Sequence, residues 1–214
     1  MLGLNKILTK EIILKKEQDR INYLTYFTET ASNSKVKKVK FYGFHSNEDF
    51  FAFSLDYDKG GVRCQKTYQR LSMHLNIRHN KINKKSDMIF VLKEKKFLYF
   101  FIIDLKSSNY RDKDTECQLY NSELFINYLI SLIKEYHPIE NEITAIKFIR
   151  CVFFPELSLT KRTIKFDTNR KINFEMRGKE HKYLMIPFKM KSILGKDGIE
   201  CSRSTLFEII NNYF

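Results

Sequence analysis

Residues 97–106 read FLYFFIIDLK, in which seven apolar residues are followed by Asp104, Leu105 and Lys106. A continuous run of large and β-branched apolar residues is typical of a strand that is buried on both faces. Because side chains alternate between the faces of a strand, Asp104 and Lys106 lie on one side and Leu105 lies on the other. Charges beside a buried strand are costly unless they are paired, hydrogen-bonded or bound to a metal. The end of this strand is therefore a candidate site.

The segments around this strand predict a hairpin followed by a crossover unit. It is preceded by a predicted strand, DMIFVL (87–92), which begins with Asp87, and by the turn KEKK (93–96). QLYNSELFINYLISLIKEY (118–136) has helical periodicity, with Gln118 in its first turn and a predicted inward stripe formed by Phe125, Leu129, Leu132 and Tyr136. The next strand is ITAIKFIRCVFFP (143–155), so strand, helix and strand succeed one another as in a parallel pair.

Both ends of the chain carry further predicted elements. Residues 6–27 favour an amphipathic helix with Ile13, Ile21 and Leu24 on one stripe, and Glu17 falls on that stripe, either as a functional acid or as an edge residue paired with a lysine. Other segments favour strands, at 39–45, 49–57, 162–167, 171–176 and 182–188, while 65–77 is ambiguous. The last thirteen residues predict a helix with Ser202 or Ser204 as its N-cap.

Length and composition indicate one globular domain. The 214 residues are 43% hydrophobic and 14% aromatic, enough for a proper core, which we place at about 6–155 with a basic, β-rich extension at about 156–214. The four cysteines are far apart, and the longest apolar run is far too short to span a bilayer. We therefore expect a cytoplasmic protein without disulfides, without a secretory signal and without a membrane partner.

The chain is strongly basic, with a formal charge of +13 at pH 7. Lysine-rich segments such as KVKKVK (35–40) and RHNKINKK (78–85) favour a nucleic-acid partner, since clustered cations release counterions from phosphates. A coding bias is the alternative, because Lys, Asn, Ile, Phe and Tyr are all abundant while Gly, Pro and Trp are scarce.

In this order the parts resemble the PD-(D/E)xK nuclease superfamily over about the first two thirds of the chain. The resemblance implies a restriction-endonuclease-like α/β fold, a mixed central sheet flanked by helices. Carried over position by position, Asp87 and Asp104 would be metal carboxylates, and Lys106 would orient or activate the attacking water. Gln118 matches the glutamine of the recombination-repair exonuclease branch, and Glu17 corresponds to the acidic residue that many members carry on their first helix.

The sequence departs from the superfamily pattern at two positions. Ser86 stands where the motif's name has proline, and Ser122 stands where the exonuclease branch has tyrosine, four residues after Gln118. The second departure weakens assignment to that branch but not to the superfamily.

The chemistry of phosphodiester hydrolysis suits these residues. One or two Mg²⁺ or Mn²⁺ ions neutralise charge and supply hydroxide near neutral pH, and such hard cations choose carboxylate oxygens. We expect a metal-dependent nuclease acting on DNA in preference to RNA, of a defence or effector type, alone, as a homo-oligomer or with a regulatory protein. The alternatives are a non-catalytic nucleic-acid-binding or assembly module with the same fold, and a protein-interaction partner whose charge reflects coding bias.

Overall fold

The computed structural model describes residues 4–29, 35–47, 49–55, 81–107, 113–136, 143–156, 170–176 and 178–214. A six-stranded sheet forms the centre of the fold, in the order β4-β5-β6-β7-β9-β8. Its strands are β4 (Phe50–Ser54), β5 (Met88–Glu94), β6 (Phe97–Leu105), β7 (Ala145–Pro155), β8 (Arg170–Met176) and β9 (Lys179–Phe188).

A second sheet of five strands has the order β1-β2-β3-β11-β10. These strands are β1 (Lys16–Asp19), β2 (Asn22–Thr28), β3 (Lys38–Phe44), β10 (Lys191–Ile193) and β11 (Lys196–Ser202). The helices of the described ranges are α1 (Leu4–Ile7), α2 (Lys113–Tyr136) and α3 (Arg203–Tyr213). None of them is both long enough and apolar enough to cross a membrane.

The strands β4, β5 and β6 are buried on both faces because they carry apolar residues at almost every position, whereas the edge strand β8 exposes Lys171, Asn173 and Glu175. On β6 the odd-numbered residues, from Tyr99 to Leu105, pack in a core that also contains residues of the five-stranded sheet and α3. The even-numbered residues Leu98, Phe100 and Ile102 pack in a second core with α2. The strand therefore presents Asp104, the next even-numbered residue, to the side on which α2 lies.

The predicted hairpin and crossover unit are confirmed. β5 and β6 pair antiparallel from Met88 opposite Ile103 to Glu94 opposite Phe97. β6 and β7 pair parallel, and α2 connects them. The mixed α/β class is thus confirmed, whereas the restriction-endonuclease-like core stays a prediction.

The predicted helix at 6–27 is wrong, because α1 ends at Ile7 and no helix follows it in this span. Residues 16–28 form the β1–β2 hairpin, which turns at Arg20 with a φ of 56°, and Ile21 beside it is 81% exposed. The segment NYLTYFT is rich in aromatic and β-branched residues, and it pairs antiparallel with β3. Pairing of β1 with β2 and of β2 with β3 therefore overrides a weak helical periodicity.

The predicted inward stripe of α2 is wrong in part. Leu129 is buried, but Phe125 and Leu132 are half-buried and Tyr136 is 74% exposed. The buried face instead contains Leu119, Ser122, Ile126, Leu129, Ile130 and Ile133. Residues 124–133 hold enough apolar side chains for two adjacent stripes, and packing on the sheet selects one of them.

The C-terminal third belongs to both sheets. β9 pairs parallel with β7, and β11 pairs parallel with β3, so these strands lie inside the sheets rather than in an appended extension. Ser202 is the N-cap of α3, as predicted, and accepts a hydrogen bond from the backbone N–H of Thr205. The predicted strand at 162–167 and the ambiguous segment at 65–77 lie outside the described residues.

Candidate functional site

Asp87 and Asp104 are neighbours across the β5–β6 hairpin. Met88 pairs with Ile103, so the two aspartates are the next residues on their strands. Ile89 and Ile102 pack in the core that contains α2, and strand alternation places both aspartates on that same face. Asp87 is 8% exposed and Asp104 is 1% exposed. Two carboxylates are therefore buried side by side at one end of the sheet.

Asp87 is fixed by the strands on either side of it. Its Oδ2 accepts a hydrogen bond of 2.5 Å from the backbone N–H of Leu105 on β6. Its carbonyl oxygen accepts hydrogen bonds of 3.1 Å from the backbone N–H of Leu55 and from the hydroxyl of Ser54. Hydrogen bonds from neutral donors to a carboxylate are stronger than those between neutral groups, so this aspartate has a defined position.

Lys106 connects the strand end to the helix. Its Nζ lies 2.8 Å from Oδ2 of Asp104 and donates a hydrogen bond of 3.0 Å to Oε1 of Gln118. Its backbone N–H donates to the carbonyl of Phe153 at 2.9 Å, which continues the parallel pairing of β6 and β7 past the end of the strand. The side chain of Lys106 is 22% exposed, so it lies at the solvent edge of the site.

The structure therefore brings together Asp87, Asp104, Lys106 and Gln118. It does not bring Glu17 to them, because Glu17 lies exposed on β1, opposite Leu24 in the five-stranded sheet. Within the described ranges there is no group of three or more His, Cys, Asp or Glu side chains that could hold a metal ion. A metal at this site would thus have two protein carboxylates as ligands.

Two such carboxylates fit Mg²⁺ or Mn²⁺. Mg²⁺ is usually bound through one or two carboxylates, and its other coordination positions are taken by water and substrate phosphates. Both aspartates supply hard oxygen donors, and burial of both carboxylates requires nearby positive charge. Lys106 supplies part of that charge in the structure.

Sequence reasoning noted Ser86 and Ser122 only as departures from the superfamily pattern, but they contact each other. The hydroxyl oxygen of Ser122 on α2 accepts a hydrogen bond of 2.8 Å from the backbone N–H of Ser86, and the two hydroxyl oxygens lie 2.9 Å apart. Both residues are fully buried. Proline has no N–H to donate, so a proline at position 86 would remove one of these bonds. Ser86 and Ser122, the two residues that depart from the superfamily pattern, therefore connect α2 to the residue before Asp87.

Asn121 was missed by sequence reasoning because nothing in the local pattern signals its role. Its side-chain amide donates to the carbonyls of Lys81, Ile82 and Lys84, at 2.5, 3.4 and 3.1 Å. Lys84 also forms an ion pair of 2.9 Å with Asp114 in the first turn of α2. The segment that leads into Asp87 is therefore attached along the N-terminal half of the helix.

A second polar cluster lies one strand further along the same sheet, around Arg150 of β7. Its guanidinium forms an ion pair of 2.6 Å with Glu123 of α2, and it lies 3.3 Å from Nδ1 of His181 and 3.4 Å from the hydroxyl of Tyr213. Burial raises the pKa of Glu123, and Arg150 opposes that shift. Burial and the charge of Arg150 lower the pKa of His181. The cluster connects α2, the sheet and α3.

Comparisons of the chain with protein-family models, with curated proteins and with solved structures find no match.

Proposed function

We propose that this protein is a metal-dependent nuclease of the PD-(D/E)xK type that hydrolyses phosphodiester bonds. The observation that supports this proposal best is the pair of buried carboxylates of Asp87 and Asp104, with Lys106 between Asp104 and Gln118. Buried charges of this kind are costly for stability, so their presence at one strand end favours a chemical role.

Asp87 and Asp104 would hold the metal, and the metal would supply charge neutralisation and a hydroxide near neutral pH. Neighbouring residues of the protein hold these two carboxylates in position. The backbone N–H of Leu105 holds Oδ2 of Asp87 in place, and the hairpin keeps the second carboxylate beside it. Fixed ligands of this kind keep their positions when substrate arrives, which limits the reorganisation needed during the reaction.

In this proposal Lys106 is the residue that contacts the substrate. Its side chain is partly exposed, and Gln118 and Asp104 both contact its ammonium group. From that position it contacts the scissile phosphate or orients the attacking water, as an ammonium donor can. Gln118 does not react, and its amide oxygen acts as a positioning group for Lys106.

DNA is the favoured substrate because the superfamily acts mostly on DNA. A defence or effector role in the cytoplasm, alone or with a partner, is part of the same proposal. The alternative function is a nucleic-acid-binding module that has this fold but does not cut.

The proposal is tested by incubating the purified protein with plasmid, linear and single-stranded DNA and with RNA, in Mg²⁺, in Mn²⁺ and in chelator. Cleavage requires metal, and Asp104→Asn and Lys106→Met each lower its rate by at least about 100-fold. Asp19→Asn and Lys95→Gln are matched controls, because both residues are exposed, Asp19 at the β1–β2 turn of the other sheet and Lys95 at the end of the β5–β6 hairpin opposite the site. Cleavage by both site variants at the wild-type rate would show that these residues do not catalyse it. Metal-independent binding without cleavage of any substrate would favour the alternative function.

A further inference from the structure

We propose that two lysine-rich segments, residues 35–40 and 81–85, form a single track for a nucleic-acid backbone that crosses the sheet edge at Asp87 and Asp104. The inference rests on the proposed nuclease function and adds the surface by which the substrate is held. Its ligand is the phosphodiester backbone, which is recognised through charge rather than through base identity.

The first segment starts beside the site. The backbone N–H of Lys35 donates a hydrogen bond of 3.2 Å to the hydroxyl of Ser107, the residue directly after Lys106. The backbone N–H of Lys37 donates to the carbonyl of Asp197 at 2.8 Å, which attaches the segment to β11. Its position is therefore fixed at both of these points.

The lysines of this segment reach the surface because the valines between them are buried. Val36 and Val39 have no exposed surface and pack in the core between the sheets. Lys35 is exposed, and Lys37, Lys38 and Lys40 are half-buried. An apolar anchor at every third residue thus leaves four ammonium groups along the surface of the chain.

The second segment lies against α2 and leads into the site. Asn121 binds three of its carbonyls, and Ser122, the next residue of α2, binds Ser86 at its end. The segment continues directly into Asp87. Its lysines are therefore attached to a rigid helix next to the buried carboxylates.

The charge of the two segments suits a polyanion. Seven of their eleven residues are lysines and none is acidic, whereas the whole chain has 38 basic and 25 acidic residues. Lys40 forms an ion pair with Glu200, and Lys84 forms one with Asp114. The test substitutes two lysines of each segment, Lys35 with Lys37 in the first and Lys81 with Lys85 in the second.

The test measures binding apart from cleavage. Fluorescence anisotropy is recorded with a labelled 20-base-pair DNA duplex and with its single strand, in chelator, from about 50 to 200 mM KCl, the range over which phosphate contacts change affinity strongly. The variants are Lys35→Gln/Lys37→Gln and Lys81→Gln/Lys85→Gln. The matched control is Lys95→Gln/Lys96→Gln, which removes two exposed lysines from the β5–β6 turn at the opposite end of the hairpin.

Each track variant lowers the slope of log K against log salt by about 2 and weakens binding at low salt at least about tenfold. The control leaves the slope within about 0.5 of wild type, since its lysines contact no phosphate. Equal losses in the control and the track variants would overturn the proposal, because net charge alone would then explain binding. Wild-type binding by both track variants would also overturn it.

A charge-neutral variant tests whether the attachment of the second segment matters. Asn121→Ala keeps every lysine but removes the amide that binds the segment, so binding weakens several-fold without loss of charge. Asn127→Ala, at an exposed position of the same helix, is the matched control and binds like wild type. Equal binding by these two variants would refute a fixed track.

The two proposals can fail separately. Track-dependent binding without metal-dependent cleavage would refute the nuclease and leave the track. Metal-dependent cleavage by a protein whose track variants bind like the control would refute the track and leave the nuclease.

Discussion

The contact between Ser122 and Ser86 makes a quantitative prediction about stability. The hydroxyl oxygen of Ser122 accepts a hydrogen bond from the backbone N–H of Ser86 and lies 2.9 Å from its hydroxyl oxygen. Ser122→Ala removes this partner, while Ser86 stays fully buried. Water has no access to replace the lost bonds at such a position.

The magnitude follows from the two polar groups that lose their partner. A buried donor or acceptor left without a hydrogen bond costs about 1–3 kcal/mol, so for two such groups we expect Ser122→Ala to lower the free energy of unfolding by about 2–6 kcal/mol. For a chain of this length each kcal/mol lowers the melting temperature by about 2–4 °C, which predicts a decrease of about 4–24 °C.

The assay is urea unfolding followed by circular dichroism, with the midpoint and slope fitted for each variant. Ser131→Ala is the matched control, because Ser131 is an exposed residue of the same helix that donates to the carbonyl of Asn127. We expect this control to change the free energy of unfolding by less than about 0.5 kcal/mol. A double-mutant cycle with Ser86→Ala then isolates the coupling between the two hydroxyls, which we expect to be about 1 kcal/mol.

One result would refute the reasoning. If Ser122→Ala and Ser131→Ala had equal free energies of unfolding, the buried bonds to Ser86 would contribute nothing measurable. The link from α2 to the residue before Asp87 would then have no energetic basis.

Three further predictions concern the rest of the fold. Arg150→Met leaves the carboxylate of Glu123 buried without its guanidinium partner and lowers the free energy of unfolding by about 3–5 kcal/mol in urea titrations; a loss below about 1 kcal/mol would contradict this role. Because the pKa of His181 is lowered in the folded chain, the unfolded chain binds a proton first as the pH falls, so stability decreases from about pH 6.5 down to the lower folded value. In urea titrations at pH 5 to 7.5, His181→Phe removes this decrease of the free energy of unfolding at low pH. If the pH profile of the variant equalled that of the wild type, His181 would not be the group responsible. Gly198→Ala places a Cβ too close to the carbonyl oxygen of Lys38 on the adjacent strand and costs about 1–3 kcal/mol, as thermal unfolding can show, whereas a neutral effect would mean that the strands move apart freely.

The central part of the fold could be read from the sequence because its signals are local. The apolar run 97–103, the short turn before it and the long helical segment after it each predict their own element, and chain order makes them a hairpin and a crossover unit. Strand alternation then places Asp104 and Lys106 on one face, and the structure shows the two side chains in contact. Ser202 was likewise recognisable as a cap because capping depends on neighbouring residues.

The misread parts depend on pairing and packing with other segments of the chain. Residues 16–28 have a helical periodicity that pairing with β3 overrides, and α2 has two adjacent apolar stripes between which only the sheet discriminates. The parallel pairing of β11 with β3 places Gly198 opposite Lys38, about 160 residues away in the chain. No local pattern encodes such a choice.

The sequence by itself determined the residue types of the candidate site and the strand and helix that carry them. Only the tertiary structure decided that Glu17 lies on another sheet, that Ser86 and Ser122 bond to each other, and that Asn121 holds the lysine segment beside Asp87. The physical reason is how far apart in the chain the interacting residues lie. Side-chain periodicity is set by the geometry of a few adjacent residues, whereas burial and hydrogen bonding between distant segments are settled only when the whole chain packs.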